Sequence, residues 1–253
     1  MGNTLLISQL VALAKHHHKT PYTLLSPFLD RISVLLADNI IRSPYMISET
    51  MQFIGSTRQN FLHTTLPHIL PALVLSRNRE ALIHVASIVK QRLGRLFMDH
   101  IAGILAQVFL HPQQTAESLD FLVDLIRSMT HGYSEHEPLI TVESLMGSCM
   151  VDLMVILVVE LGDQDKAARR AAKLGLSKAM AYQRTGTDLG AFLKPYMLGV
   201  ISQLNDMLHD VLGKKSVEYK KKIIRSMGVL IKLVGDSMSS FSPQVCTGRY
   251  ENG

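Results

Sequence analysis

Leucine-rich stretches separated by prolines are the feature that most constrains the fold of this 253-residue chain. Their apolar residues recur at the spacing of one helix face, as at Leu29, Ile32, Leu36 and Ile40. Patterns typical of strands are nearly absent. The prolines that open or bend the stretches are Pro21, Pro27, Pro44, Pro67, Pro71, Pro112, Pro138 and Pro195. We therefore predict an all-α fold of stacked antiparallel helix pairs, an α-solenoid of about ten to twelve helices.

The organisation along the chain follows from where this periodicity breaks. Segment 60–75 carries two prolines four residues apart and resembles the bent first helix of HEAT-type repeats. We predict HEAT-like repeats over 1–130, a polar linker at 131–138 (HGYSEHEP), helical repeats over 139–245 and a polar tail at 246–253. Single helices are expected at 139–161, 164–182, 188–212 and 216–234, and a helix break is expected near Gly94.

Composition limits the compartment and excludes some classes. No apolar run reaches the roughly 18 residues of a membrane span, since Asp152 and Glu160 interrupt the longest one, 146–161. We expect a buried core helix there and no membrane partner. The chain has two cysteines: Cys149 lies in this apolar run, where we expect core packing, and Cys246 lies in the polar tail. A disulfide framework is not indicated, which is typical of the cytosol or nucleus.

The sequence shows no catalytic or cofactor-binding constellation. His16, His17 and His18 are consecutive, so they point in different directions rather than to one metal ion. Phosphate-binding loops, protein-kinase motifs and the GxSxG nucleophile turn are all absent. Asp152, which looks buried among apolar residues, is interpreted as a hydrogen-bonding partner of a neighbouring helix. We predict no catalytic, cofactor-binding or metal residue and no cofactor.

Basic residues cluster in two segments, 166–178 and 214–225, within a chain of formal net charge +5. We predict a basic contact surface made of Lys166, Arg169, Arg170, Lys173, Lys214, Lys215, Lys220, Lys221 and Lys222. Such patches fit nucleic acid as a partner. A solvated helix face explains the same pattern, and aromatic platforms for single strands are not evident at 6% aromatic residues.

Segment 213–245 carries the most specific resemblance. It combines the lysine-rich turn at Lys214, Lys215 and Ser216 with the runs RSMG, LIKLVG and SPQ. These motifs resemble the UME domain of the ATR family of checkpoint kinases. The stretch 15–36 is similar to the helical region that precedes that domain, so the resemblance spans about residues 1–245, with the UME-like part at about 180–245.

That resemblance implies a role that the residues alone do not give. In the family, this region belongs to the HEAT-repeat solenoid ahead of the FAT and kinase domains. It implies a nuclear serine/threonine kinase in DNA-damage and replication-stress signalling, whose partner protein recruits it to coated single-stranded DNA. We expect a fragment that lacks the FAT and kinase domains, is inactive alone and serves as scaffold and partner surface. The alternatives are an independent HEAT-type adaptor or transport factor and a nucleic-acid-binding helical module.

Overall fold

The computed structural model describes residues 2–25, 28, 32, 58–130, 140–184, 188–209 and 217–235. Every regular element among these residues is helical. The helices are α1 Gly2–His16, α2 Pro21–Leu25, α3 Arg58–Leu75, α4 Arg79–Val89, α5 Leu93–Leu110, α6 Thr115–Thr130, α7 Val142–Ser148, α8 Met150–Leu161, α9 Lys166–Gln183, α10 Leu189–Leu193, α11 Met197–His209 and α12 Val217–Val234. The predicted fold class, an all-α helical solenoid, is confirmed.

The chain divides into two compact units. One comprises Met1–His100 and Asp124–Tyr133, and the other comprises Ile101–Val123 and Ser134–Gly253. The predicted linker at 131–138 and tail at 246–253 lie outside the described residues, as do most of the helices expected around Pro27 and Pro44. The predicted domain boundaries therefore stay predictions.

In the first unit, α3 and α4 form a helix pair joined by a three-residue turn. The Asn78 side chain caps α4 by accepting a hydrogen bond from the Ala81 N–H at 3.0 Å. Leu70, Leu73 and Leu82 are fully buried in this unit.

The break between α4 and α5 corrects the prediction of a break near Gly94. α4 ends at Val89 and is capped by Lys90, which has a left-handed conformation (φ 54°) and whose N–H bonds to carbonyl groups of the preceding turn. Gly94 lies inside the first turn of α5. A single glycine lowers helix propensity without ending a helix, so the cap, rather than the glycine, sets the boundary.

The second unit is organised around α8, whose sequence MVDLMVILVVEL is apolar nearly all round. Eight of its 12 side chains are buried, and it packs against α9, α11 and α12. A helix that is apolar on every face is stable in water only where neighbours cover it. The expected buried core helix in this region is thus confirmed.

Two predicted long helices are each broken, and both predictions are corrected. The first, expected at 139–161, is divided into α7 and α8, which meet at 86° where Cys149 leaves helical geometry (φ −139°, ψ 23°). The Ser148 hydroxyl donates to the Leu145 carbonyl at 2.7 Å, a bond that favours bending. Residues 188–212 are divided by the 3₁₀ turn Lys194–Tyr196, because Pro195 has no N–H to continue the helix.

By length and composition, α5 could cross a membrane. This corrects the expectation that no apolar stretch of the chain is long enough to do so. Half of its residues are buried inside the protein. The bent pair α7 and α8 meets the same criterion when taken together. Buried core helices also meet it, so length and composition alone do not distinguish a core helix from a membrane span.

Candidate basic contact surface

One face of α9 forms a line of exposed cations. Lys166, Arg170 and Lys173 lie four and three residues apart, which places them on one side of a helix. The side chains of all three are exposed and make no hydrogen bond or ion pair with the described residues, whereas Ala172 and Ala179 are fully buried on the other side. We call Lys166, Arg170 and Lys173 the α9 stripe.

Arg169 belongs to the same basic segment but serves the fold. Its Nη1 donates to the carbonyl oxygens of Asp163 at 2.8 Å and Gln164 at 2.7 Å. Both residues lie in the turn 162–165 between α8 and α9. The Asp165 side chain caps α9 by accepting from the Ala167 N–H at 2.9 Å. Hydrogen bonds between α9 and the turn 162–165 therefore hold the turn in place.

Lys222 on α12 holds two carboxylates beside this turn. Its Nζ lies 2.7 Å from Glu160 Oε2 and 2.8 Å from Asp163 Oδ2, and its side chain is only 16% exposed. Burial alone would lower the pKa of Lys222, but the hydrogen bonds to Asp163 and Glu160 outweigh it and raise the pKa. The pKa of Asp163 is lowered, first by the Lys222 hydrogen bond and then by the Asp165 N–H.

Arg225, one turn further along α12, completes the contacts to the turn. Its Nε donates to the Gly162 carbonyl at 2.8 Å, and its Nη2 donates to Glu218 Oε1 at 3.3 Å. Gln164 donates to the same Glu218 oxygen at 2.5 Å. The Arg225 hydrogen bond is the main cause that lowers the pKa of Glu218. Charged side chains of α12 therefore bind both backbone and side chains of the turn.

The backbone of α12 approaches the turn closely at Gly162. A Cβ atom built there would overlap the Lys222 carbonyl oxygen and lie 2.6 Å from the Ser226 nitrogen. Both neighbours are backbone atoms, so neither can rotate away. Packing of the helix against the turn requires a residue without a side chain at this position.

The outer face of α12 carries exposed apolar residues. Val217, Ile224 and Ile231 recur every seven residues and are 71%, 57% and 37% exposed. Lys221 and Lys232, which are exposed, fall beside this line by helical spacing. We call Val217, Ile224 and Ile231 the α12 apolar line. An apolar line with a basic flank is typical of a surface that binds another protein.

A cavity of about 310 Å³ lies where the turn, α9 and α12 meet. Arg169, Arg225 and Lys232 line it together with the carboxylate of Asp163. The remaining lining residues are Leu161, Gly162, Gly228 and Val229. Three basic residues and one acidic residue thus line this space.

The structure brings part of the predicted contact surface together. Arg169 and Lys222, from different basic segments, both bind Asp163. Lys220 is half-buried, and the exposed Lys221 lies 3.7 Å from Glu218. Lys214 and Lys215 lie outside the described residues. The prediction missed Arg225 and Lys232; their seven-residue spacing, which puts them on one helix face, was the available signal.

The other residues considered as candidates for chemistry have structural roles or lie exposed to solvent. Asp152 accepts a hydrogen bond from Gln203 on α11 at 2.7 Å, as predicted, but it is exposed rather than buried. Cys149 is buried, as expected, and burial raises the pKa of its thiol to about 11. His16 to His18 lie exposed at the end of α1. Among the described residues, no cluster of His, Cys, Asp and Glu side chains is arranged to hold a metal ion.

Comparisons with known proteins give two matches. The model of the UME (NUC010) domain matches residues 192–248, which include α11 and α12 and extend three residues into the predicted tail. Protein kinase rad3 of Schizosaccharomyces pombe is 24% identical over 249 residues, which cover 94% of this chain and 10% of rad3. No solved structure gives a significant match. The resemblance read from the motifs is confirmed: the chain carries a UME region and is similar to a relative of the ATR family along most of its length.

Proposed function

We propose that this chain is a scaffold and partner-binding segment of an ATR-like serine/threonine kinase that acts in the nucleus, in DNA-damage and replication-stress checkpoint signalling. The observation that carries the proposal is the similarity to a protein kinase, rad3, along 94% of the chain, although the chain spans only about a tenth of the length of rad3. The kinase activity itself is assigned to the rest of such a protein, because this sequence has no kinase motif.

The α12 apolar line supports a protein partner as the binding target. Its three side chains stay exposed although the residues on the opposite side of α12, such as Ile223 and Leu230, are fully buried. A partner that covers these side chains would gain about 25 cal/mol of binding free energy for each Å² of apolar surface removed from water. The partners proposed are the rest of the kinase and its recruiting subunit.

The test places charges on this line within the full-length kinase. We expect Ile224→Asp with Ile231→Asp to reduce co-purification of the recruiting partner and checkpoint phosphorylation after replication stress. The matched control is Ile83→Asp on α4, where the isoleucine is 53% exposed but lies outside the UME match. Thermal unfolding of each 253-residue variant checks that the fold is kept.

The result can also contradict the proposal. Unchanged co-purification and phosphorylation in the double variant would remove the α12 apolar line as the partner surface. Phosphotransfer by the 253-residue chain alone would overturn the assignment of activity to the rest of the protein. An independent adaptor, the alternative, predicts that the chain binds its partners equally well when no kinase is present.

A further inference from the structure

We propose that the cavity beside the turn 162–165 is a binding site for a phosphate monoester, carried on a phosphorylated serine or threonine of a partner polypeptide. The site goes beyond the scaffold role, because it gives the surface a ligand whose charge can be switched by phosphorylation.

The charge balance favours an anion. Arg169, Arg225 and Lys232 line the cavity against the carboxylate of Asp163. That carboxylate is already compensated, since its Oδ2 pairs with Lys222 at 2.8 Å and its Oδ1 accepts the Asp165 N–H at 2.8 Å. Arg225 is itself paired with Glu218 at 3.3 Å. Among the described residues, the positive charges at the cavity that have no carboxylate partner are therefore those of Arg169 and Lys232.

Hydrogen-bond donors remain available on each cation. The Lys232 side chain makes no hydrogen bond or ion pair with the described residues, although Lys232 lines the cavity. Arg169 uses only Nη1 in its contacts to the described residues, and Arg225 uses Nε and Nη2. A phosphate dianion offers three acceptor oxygens, which guanidinium groups bind in pairs and an ammonium binds as a point charge.

The two arginines are held before any ligand arrives. Backbone carbonyls of Gly162, Asp163 and Gln164 accept hydrogen bonds from them at 2.7–2.8 Å. Binding therefore does not have to order these long side chains, which otherwise costs about 0.5–1.5 kcal/mol each. This separates the cavity from the α9 stripe, whose cations have no such support.

The shape of the cavity suits a phosphorylated side chain better than a bare ion. Its volume of about 310 Å³ is at the lower end of the range for small-ligand sites. Leu161 and Val229 supply apolar wall for the methylene or methyl group that carries the phosphate. Gly228 adds room: a Cβ there would meet nothing within 4 Å, so packing does not require the glycine, which lowers helix stability.

The experiment titrates the 253-residue chain with a short peptide containing one phosphoserine, with the same peptide unphosphorylated and with inorganic phosphate, at constant ionic strength. Calorimetry measures the affinities. We expect saturable binding that is tightest for the phosphopeptide, weaker for phosphate and undetectable for the unphosphorylated peptide. Lys232→Gln should weaken phosphopeptide binding about tenfold, the scale of one charge-assisted hydrogen bond.

Two matched variants separate a site from general charge attraction. Lys173→Gln removes the same charge from the α9 stripe and should change the affinity less than about twofold, because its side chain does not line the cavity. Gly228→Ala should reduce phosphopeptide affinity by occupying part of the cavity while leaving the fold intact.

Three results would overturn the proposal. The first is the absence of saturable binding for both phosphate and phosphopeptide. The second is equal weakening by Lys232→Gln and Lys173→Gln, which would indicate diffuse electrostatics. The third is equal affinity for free phosphate and phosphopeptide. That result would mean that the cavity binds phosphate but does not recognise the polypeptide that carries it.

Discussion

The two basic helices, α9 and α12, look alike in sequence and behave differently in the structure. On α9, the cations of the stripe extend into solvent with no partner among the described residues. On α12, Lys222 and Arg225 turn toward the protein and bind the carboxylates and carbonyls at 160–163. A lysine-rich run is therefore not one surface, because consecutive residues of a helix face different directions. Arg169 binds the turn while Arg170 is exposed, and Lys222 is half-buried while Lys221 is exposed.

The largest expected effect tests the close approach of α12 to the turn. Gly162→Ala should lower the free energy of unfolding by about 3 kcal/mol, since the added methyl group meets backbone atoms that cannot rotate away. Urea denaturation of the 253-residue chain gives the value. Gly228→Ala is the control: its Cβ meets nothing, so it should stabilise the chain by about 0.5–1 kcal/mol. Equal effects of both substitutions would refute the close approach.

Removing Lys222 tests whether α12 cations support the fold. Lys222→Met should cost about 1–3 kcal/mol, because Glu160 and Asp163 are left side by side with their shared cation removed and are only 28% and 29% exposed. The same measurement on Lys220→Met provides the control from the same helix. If Lys222→Met lowers the free energy of unfolding by less than about 0.5 kcal/mol, Lys222 contributes no more to stability than an ordinary surface lysine.

The pH dependence sharpens the same contact. Because the pKa of Asp163 is held below its ordinary value of 3.8, its pairing stabilises the folded state above that pH and is lost as pH falls through the lowered pKa. We expect the stability difference between the native chain and Asp163→Asn to shrink as pH falls from about 5 to 2. Denaturation at several pH values measures it. A difference independent of pH would mean that the carboxylate charge is not involved.

The smallest effect is expected on the α9 stripe. Lys166→Gln with Lys173→Gln should change the free energy of unfolding by less than about 0.5 kcal/mol, since both side chains are exposed and make no hydrogen bond or ion pair with a described residue. If the stripe binds nucleic acid, the same pair should weaken that binding and reduce its dependence on salt. Unfolding of the double variant at lower denaturant than the native chain would contradict the division between α9 and α12.

Local pattern predicted the elements better than their ends. The helix expected to end near Tyr182 was found as α9, and the one expected at 216–234 as α12, since both carry strong periodicity. The breaks at Cys149 and Pro195 were missed. Pro195 is evident in the sequence, but proline is tolerated in the first turn of a helix. Its presence alone therefore does not show whether a helix ends there or begins.

The candidate site was predictable only in part. Charge runs pointed to both basic helices, and the motifs RSMG and LIKLVG indicated the UME region. The partnership of Lys222 with Glu160 and Asp163 spans about sixty residues and has no local signal. The cavity likewise combines residues from α9 and α12. Arg225 and Lys232 could be assigned to the candidate site only from the structure, because both line the cavity beside the turn 162–165.

The sequence by itself determined that this chain is helical, is apolar around α8 and carries a UME region, because periodicity, composition and short motifs are local properties. Only the tertiary structure decided which cations are available to a partner. That choice depends on which face of each helix is buried and on which backbone carbonyls lie within hydrogen-bonding distance. Packing sets both, through contacts between residues far apart in the chain.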